Sequence, residues 1–145
     1  MSNYIRTLSV GDTVLCTDPK GKLNYMGDGV FNHKKKGKFR ATSIVLLAGG
    51  SGITTLYHLM NAIYRAKETH INVKLIYSSK TRDDILCKPE LDEIANDESC
   101  SNIQIYHTIT REEGDLGPGY LKGRVTLEML QQLNCPGPGD DFLVL

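Results

Sequence analysis

Apolar positions along the chain form two patterns, and the change between them lies near residues 33–42. Residues 43–48 are almost continuously apolar, which is typical of a strand buried on both faces of a parallel sheet. Further along, apolar side chains recur every three or four residues, which predicts the buried face of a helix. These side chains are Leu56, Leu59, Met60, Ile63 and Ala66. The two runs and the glycines between them predict a strand, a turn and a helix.

Two further strand and helix units follow. Residues 73–77 predict a strand, and Pro89 stands in the first turn of the next helix, where a missing N–H is tolerated. The side chains predicted to point inward from that helix are Leu91, Ile94 and Ala95. A third strand is predicted at residues 103–107. After a long loop, Thr126 is placed to cap a short helix at about residues 127–133.

Repeated strand and helix units predict an α/β fold with an open parallel sheet and helices on both faces. Residues 142–145 predict one more strand of this sheet. Residues 11–31 differ, because short β-type runs alternate with Asp-Pro and glycine turns, as is typical of antiparallel hairpins. We therefore expect two parts, an antiparallel β segment with a linker in residues 1–40 and an α/β domain in residues 41–145.

Composition narrows the function classes. The chain has 145 residues, of which 40% are hydrophobic, and this is enough for one globular domain with a real core. Its 17 basic and 17 acidic residues leave no net charge that would draw it to nucleic acid or an anionic membrane. The four cysteines form no CxxC pair, and without a signal peptide we expect reduced thiols and a cytoplasmic protein. No apolar stretch approaches the roughly 20 residues of a membrane span.

The segment LLAGGSGITTLYHLM, residues 46–60, indicates a nucleotide site. After a parallel strand, free backbone N–H groups and the positive end of a helix can bind phosphate. Glycines without a Cβ let a phosphate or a flat ring approach this backbone, and the alternative is a tight turn with close packing of strand on helix. The GxGxxT pattern departs from the dinucleotide fingerprint, and residues 77–80 offer no acid for an adenosine ribose. The lack of Lys-Ser/Thr after the glycines excludes a P-loop.

Three segments, LLAGGSGITTLYHLM, LIYSSKTRDDIL and KPELDEI, together resemble a known domain in their order and spacing. It is the pyridine-nucleotide domain of the ferredoxin-reductase-like flavoenzymes, most closely the cytochrome b5 reductase and nitrate reductase branch. Residues 1–31 also resemble the last strands of the flavin domain of that family. The family's Arg-x-Tyr-Ser/Thr flavin motif and its Cys-Gly-Pro-Pro loop are absent, so we expect a fragment or a truncated form. Thr55 stands where a proline is usual after Gly-Ile-Thr.

The resemblance implies site residues only where this sequence matches the family's motifs. The glycine turn would face the pyrophosphate and nicotinamide with Gly49, Gly50, Ser51, Gly52, Ile53 and Thr54. Ser51 would also approach the flavin, and Ser2 matches the end of a Gly-Lys-Met-Ser turn that binds the flavin phosphate. Tyr77 and Ser78 match a strand end that borders the nucleotide, with core packing as the alternative for Tyr77.

The choice between NADH and NADPH is predicted from the end of the third strand. NADH-preferring members of the branch carry an acid there, whereas this chain has Thr110 and Arg111. Arginine can donate a bidentate, charge-assisted pair of hydrogen bonds to a 2′-phosphate, so we expect NADPH rather than NADH. Tyr120 resembles the tyrosine that stacks on adenine in plant ferredoxin reductases. The alternative for Arg111 is an ion pair with Glu112 or Glu113 on a solvated loop.

The resemblance implies an FAD-dependent NAD(P)H oxidoreductase, in which hydride passes from nicotinamide to FAD and electrons pass on to a heme acceptor. That acceptor would be cytochrome b5 or a fused heme domain, and any membrane attachment would lie outside this segment. No catalytic residue and no metal ligand is predicted, because the four histidines show no metal spacing. The alternative is a non-catalytic nucleotide-binding or interaction module that has lost the flavin domain.

Overall fold

A computed structural model describes residues 2–18, 20–136 and 141–145, so that Pro19 of the predicted Asp-Pro turn lies outside the described residues. The helices are α1 (Ser2–Ile5), α2 (Ile53–Arg65), α3 (Lys88–Asn96) and α4 (Leu127–Gln132). The strands of the larger sheet are β4 (Ser43–Gly49), β5 (Asn72–Ser79), β6 (Ile103–Ile109), β7 (Tyr120–Lys122) and β8 (Phe142–Val144). A smaller sheet contains β1 (Leu23–Gly27), β2 (Val30–His33) and β3 (Gly37–Arg40).

The larger sheet confirms the predicted fold class. Its strand order is β7-β6-β5-β4-β8, and every neighbouring pair is parallel. In this register Ala48 is opposite Tyr77, Tyr77 is opposite His107, and His107 is opposite Tyr120. Because the strands are parallel, the turns that follow β4, β5 and β6 all lie at one edge of the sheet.

Helices cover both faces of this sheet. Alternate residues of a strand point to opposite faces, and Leu46 and Leu75 pack in one core with α2 and α3. On the other face, Leu130 of α4 lines an apolar groove with Val45. Lys74 also points to that face, and its Nζ donates hydrogen bonds to the carbonyl oxygens of Leu133 at 2.6 Å and Asn134 at 2.9 Å. These bonds hold the end of α4 against the sheet.

Three sequence predictions need correction. Leu91 and Ile94 are buried, but Ala95 is exposed. The buried face of the nine-residue helix α3 is narrow, and Leu91 and Ile94 alone occupy it among the residues predicted to point inward. Strand β7 lies inside the segment predicted as a long loop, because three residues at a sheet edge are too few to show a periodic pattern. Residues 11–18 and 20–22 contain no strand among the residues that the structure describes, so the antiparallel sheet begins only at Leu23.

The smaller sheet is antiparallel, as the hairpin pattern predicts, and it packs on the same core as α2. Its inner face is aromatic, with ring centroids 5.0 Å apart for Tyr25 and Phe31 and 5.6 Å apart for Phe31 and Phe39. Glu68, just after α2, accepts hydrogen bonds from the Tyr25 hydroxyl and from the backbone N–H of Asp28, the latter at 2.8 Å. The smaller sheet is thus joined to the α/β part by apolar and polar contacts.

Two general features are relevant to function. None of the four cysteines forms a disulfide. Within the described ranges, no helix has the length and apolar character that crossing a bilayer requires.

Candidate functional site

The glycine-rich segment connects the carboxyl end of β4 to the start of α2. Gly49 is the last residue of β4, a single 3-10 turn covers Gly50–Gly52, and the fully buried Ile53 begins α2. Gly50 has a φ of +50°, in the left-handed region that residues with a Cβ seldom adopt. At this one position, backbone conformation explains the glycine.

Gly49 and Gly52 need a different explanation. Their φ angles are −135° and −62°, which any residue can adopt, and a Cβ built on either would meet no atom within 4 Å. By contrast, a Cβ on Gly29 would lie 2.7 Å from the carbonyl oxygen of Ala41. Close packing of strand on helix therefore does not require glycine at positions 49 and 52. Their missing side chains leave space on the solvent side of the turn, where a ligand can approach the backbone.

The start of α2 places the positive end of the helix dipole on that side. Gly52, at its N-cap, provides no side-chain hydrogen bond, and no acidic residue stands in the first turn. Thr54 and Thr55 direct their hydroxyls back to carbonyl oxygens, donating to Ser51 at 3.0 Å and to Gly52 at 3.4 Å. The N–H of Ile53 donates to the carbonyl oxygens of the preceding 3-10 turn. The positive helix dipole, with no acidic residue beside it, still favours an anion at this end.

Tyr77 supports the turn from the interior. Its side chain is fully buried, and its hydroxyl donates to the carbonyl oxygen of Gly50 at 3.0 Å. The hydroxyl oxygen of Tyr77 also accepts a hydrogen bond from the backbone N–H of Leu86 at 3.2 Å. The ring therefore packs in the core, which was the alternative to a nucleotide contact for Tyr77. Its hydroxyl also connects the glycine turn to the loop after β5, so that one residue serves the core and the turn.

A cleft of about 340 Å³ opens beside the turn, at the carboxyl ends of β4, β5 and β6. The cleft is lined by Gly50, Ser51, Ser78, Ser79, Lys80, Asp84, Leu86 and Thr110. Gly50, Ser51, Ser78 and Thr110 belong to the predicted nucleotide site, and the structure brings these four residues together. The other four were missed from the sequence. These four could have been found from their position, because Ser79 ends the second parallel strand and the other three lie in the loop that follows it. Ligands bind at this edge of a parallel sheet.

Two of the missed residues have polar groups without partners. Ser79 is 4% exposed, and among the described residues its hydroxyl has no hydrogen-bond partner. A buried polar atom without a partner is unfavourable, and a ligand hydroxyl or phosphate in the cleft would relieve it. Lys80 is exposed, and within the described part of the chain no carboxylate lies within 4.0 Å of its Nζ.

Thr110 and Arg111 follow β6 and differ in their relation to the cleft. The N–H and hydroxyl of Thr110 both donate to the carbonyl oxygen of Ser79, at 3.0 Å and 3.1 Å. The N–H of Arg111 donates to the carbonyl oxygen of Lys80 at 2.9 Å, but its exposed side chain does not line the cleft. Among described residues, Arg111 has no ion pair, which removes the alternative of pairing with Glu112 or Glu113.

Glu112 pairs instead with Arg82. Arg82 Nε donates to Glu112 Oε1 at 2.7 Å, and the backbone N–H of Arg82 donates to Glu112 Oε2 at 3.0 Å. The hydrogen bond from the Arg82 side chain lowers the pKa of Glu112 below its ordinary value. This pair joins the loops that follow β5 and β6 on the border of the cleft.

Tyr120 and Ser2 are not placed in the cleft. Tyr120 lies at the start of β7, its ring centroid 5.9 Å from that of His107, in a separate cleft of about 280 Å³ that Lys88 also lines. Burial, followed by the charge of Lys88, lowers the pKa of His107. Ser2 lies in α1, and the structure does not describe its side chain. Adenine stacking by Tyr120 and flavin binding by Ser2 stay predictions, as do the ligand contacts of the other site residues.

Comparison with known proteins agrees with this geometry. Residues 46–145 match the family described as oxidoreductase NAD-binding domain. The chain is 35% identical over 140 residues to nitrate reductase [NADH] of Volvox carteri, covering 95% of this chain and 16% of that protein. It is 33% identical over 150 residues to NADH-cytochrome b5 reductase 1 of Homo sapiens, covering 100% of this chain and 48% of that protein.

A solved structure shows the same architecture. The cytochrome b5 reductase domain of Ulva prolifera nitrate reductase superposes with a TM-score of 0.84 at 27% identity, over 99% of this chain and 53% of that chain. The chain thus spans about half of the cytochrome b5 reductase that it matches, and a smaller part of the nitrate reductase.

Proposed function

Because the chain belongs to the family of oxidoreductase NAD-binding domains, we propose that it is the pyridine-nucleotide-binding part of an FAD-dependent NAD(P)H oxidoreductase. In this proposal, hydride passes from the nicotinamide to FAD, and electrons continue to a heme acceptor such as cytochrome b5 or a fused heme domain. The relatives named above support it, since they are nitrate reductases and NADH-cytochrome b5 reductases. The single observation that carries it is the open space at Gly49 and Gly52, beside the positive end of α2.

The residues of this chain bind and orient the nucleotide. The glycine turn admits the pyrophosphate, the first turn of α2 faces its charge, and Tyr77 fixes the turn through the carbonyl of Gly50. FAD, when bound, supplies the redox chemistry. Within this chain the resemblance assigns Ser51 and Ser2 to the flavin, and Ser51 lines the cleft.

The nucleotide that we propose is NADPH, although the named relatives use NADH. The end of β6 carries Thr110 where the NADH-preferring branch has an acid, and no acidic side chain neutralises Arg111 within the described residues. A 2′-phosphate attracts cations and is repelled by a carboxylate, so Thr110 in place of that acid favours NADPH over NADH.

Calorimetric titration of the chain with NADP⁺ and NAD⁺ tests the proposal. We expect binding of both and tighter, more salt-sensitive binding of NADP⁺. Gly52→Ala should weaken both by about tenfold or more, because its Cβ enters the space that a ligand needs, and tenfold corresponds to about 1.4 kcal/mol. Gly21→Ala is the matched control, since a Cβ there has only Leu23 O nearby, at 3.8 Å, and Gly21 lies before β1, outside the glycine turn.

Three results would count against the proposal. No binding of either nucleotide by the folded chain removes the nucleotide function. Equal affinities for NADP⁺ and NAD⁺ return the choice to NADH. Equal effects of the Gly52 and Gly21 substitutions on affinity would show that the nucleotide does not bind at the glycine turn.

A further inference from the structure

Lys80 is the cationic side chain that lines the cleft, and the sequence resemblance gave it no role. It follows Ser79, the last residue of β5, and its backbone carbonyl is held by the N–H of Arg111 at 2.9 Å. The side chain is exposed and has no ion-pair partner among the described residues. An ammonium on a fixed backbone, free of a carboxylate and at the ligand edge of a parallel sheet, can pair with an anion.

We propose that Lys80, rather than Arg111, forms the ion pair with a phosphate of the bound nucleotide. This inference rests on the proposed nucleotide function and identifies the cation of that site. Both residues sit at adjacent strand ends, but only Lys80 shares the cleft with Gly50, Ser51 and Thr110. Arg111 is exposed and does not line the cleft, so its charge acts through solvent, where it is screened.

The other polar groups of the cleft fit a phosphorylated sugar. Oδ2 of Asp84 accepts hydrogen bonds from the N–H of Thr81 at 3.1 Å and from its hydroxyl at 2.8 Å. Oδ1 of Asp84 has no partner among the described residues and can accept a ribose hydroxyl. The buried hydroxyl of Ser79 also needs a partner. The carboxylate of Asp84 would repel a simple anion bound beside Lys80. The pair instead suits a phosphorylated sugar, whose phosphate can pair with Lys80 while its hydroxyls donate to Asp84.

The phosphate in question is either the adenosine 5′-phosphate of the pyrophosphate or the 2′-phosphate of NADPH, and 5′-AMP and 2′-AMP represent the two as monophosphates. Titrations with adenosine, 5′-AMP and 2′-AMP distinguish the two, with adenosine as the ligand that lacks the phosphate. The variants are Lys80→Ala, Lys80→Arg, Arg111→Ala and Lys122→Ala. Lys122 is the matched control, because it is an exposed lysine at the end of β7 that does not line the cleft.

For Lys80→Ala we expect about tenfold weaker binding of the monophosphate that Lys80 contacts, with less salt dependence and unchanged adenosine binding. Lys80→Arg should keep most of the affinity. Arg111→Ala and Lys122→Ala should each change the affinity by less than about threefold. A loss in Arg111→Ala with none in Lys80→Ala overturns the inference, and so does an equal loss for adenosine. If the unmodified chain binds none of the three ligands, the proposed function itself fails.

Discussion

The hydroxyl of Tyr77 donates a hydrogen bond to the carbonyl oxygen of Gly50 at 3.0 Å. Tyr77 belongs to β5, and Gly50 lies in the turn that follows the neighbouring strand β4, in which Ala48 is directly opposite Tyr77. The bond thus fixes the glycine turn two residues beyond the pair, on the side of the sheet that α2 and α3 cover. The conformation of the nucleotide site therefore depends on a residue of the core.

Removing this hydroxyl should affect stability and binding together. In Tyr77→Phe the buried ring remains, but the N–H of Leu86 and the carbonyl of Gly50 lose their partner. We expect the free energy of unfolding to fall by about 1 to 3 kcal/mol and NADP⁺ to bind more weakly. Urea denaturation and calorimetric titration measure the two effects. Tyr106→Phe is the control, because its hydroxyl donates to Oε1 of Gln104 at 3.2 Å and, among the residues that the structure describes, has no other partner. Equal losses in both variants would contradict the role of Tyr77.

The two kinds of glycine in the turn should respond differently to alanine. Gly50→Ala places a Cβ on a residue with a φ of +50°, and this should lower the free energy of unfolding by about 1 to 2 kcal/mol. Gly52→Ala, with a φ of −62°, should change it by less than about 0.5 kcal/mol and still weaken nucleotide binding. Chemical denaturation of both variants checks this difference, and a large destabilisation by Gly52→Ala would show that packing requires that glycine.

Tyr25 should make stability depend on pH in the alkaline range. Burial, followed by the hydrogen bond to Glu68, raises the pKa of Tyr25 above its ordinary value of 10.0. The folded chain then keeps a proton that the unfolded chain loses, so this part of the stability is complete below about pH 10 and declines above it. Denaturation at pH 9 and pH 10.5 should show a smaller decline in Tyr25→Phe than in the unmodified chain. An equal decline in both would be incompatible with the Tyr25 and Glu68 contact.

The cap of α4 should contribute measurably. The side chain of Thr126 accepts the N–H of Met129 at 3.2 Å, as the sequence predicts. Thr126→Ala should reduce the free energy of unfolding by about 1 kcal/mol, since it leaves that N–H without its cap. Thr69→Ala, at an exposed turn residue, should have little effect. Thermal denaturation of the two variants provides the comparison, and identical melting temperatures would contradict a capping role.

Sequence patterns predicted the order of the elements because each long element repeats one spacing. The apolar run of β4 appears where the sequence places it, and so does the stripe of α2 from Leu56 to Ile63. Ala66, predicted as the last residue of that stripe, is exposed and follows the end of α2 at Arg65. Strand β7 has only three residues and is defined by its register with β6, which no local pattern contains. Ala95 shows the same limit, because the width of a buried helix face depends on the sheet beneath it.

The site was predictable to the extent that motifs mark it. Gly50, Ser51, Ser78 and Thr110 carry motif signals and do meet in one cleft, whereas Gly49, Gly52, Ile53 and Thr54 do not line it. Lys80 and Asp84 carry none, and only the parallel register of β4, β5 and β6 brings them to the same edge. The family resemblance pointed to Arg111 and gave Lys80 no role, but of these two residues it is Lys80 that lines the cleft. The direction of a side chain after a strand end depends on neighbouring loops, such as the one that Arg82 and Glu112 hold.

Glu68 joins the smaller sheet to the chain just beyond α2 through Tyr25 and Asp28, and the aromatic inner face of that sheet packs on the same core. Opening either part would expose the apolar surface of the other. The chain should therefore lose its structure in a single cooperative transition, in which spectroscopic signals from the smaller sheet and from the parallel sheet change together. The glycine turn follows β4, which belongs to the same cooperative unit. Because a nucleotide would bind only the folded chain, its binding should raise the melting temperature of the whole chain.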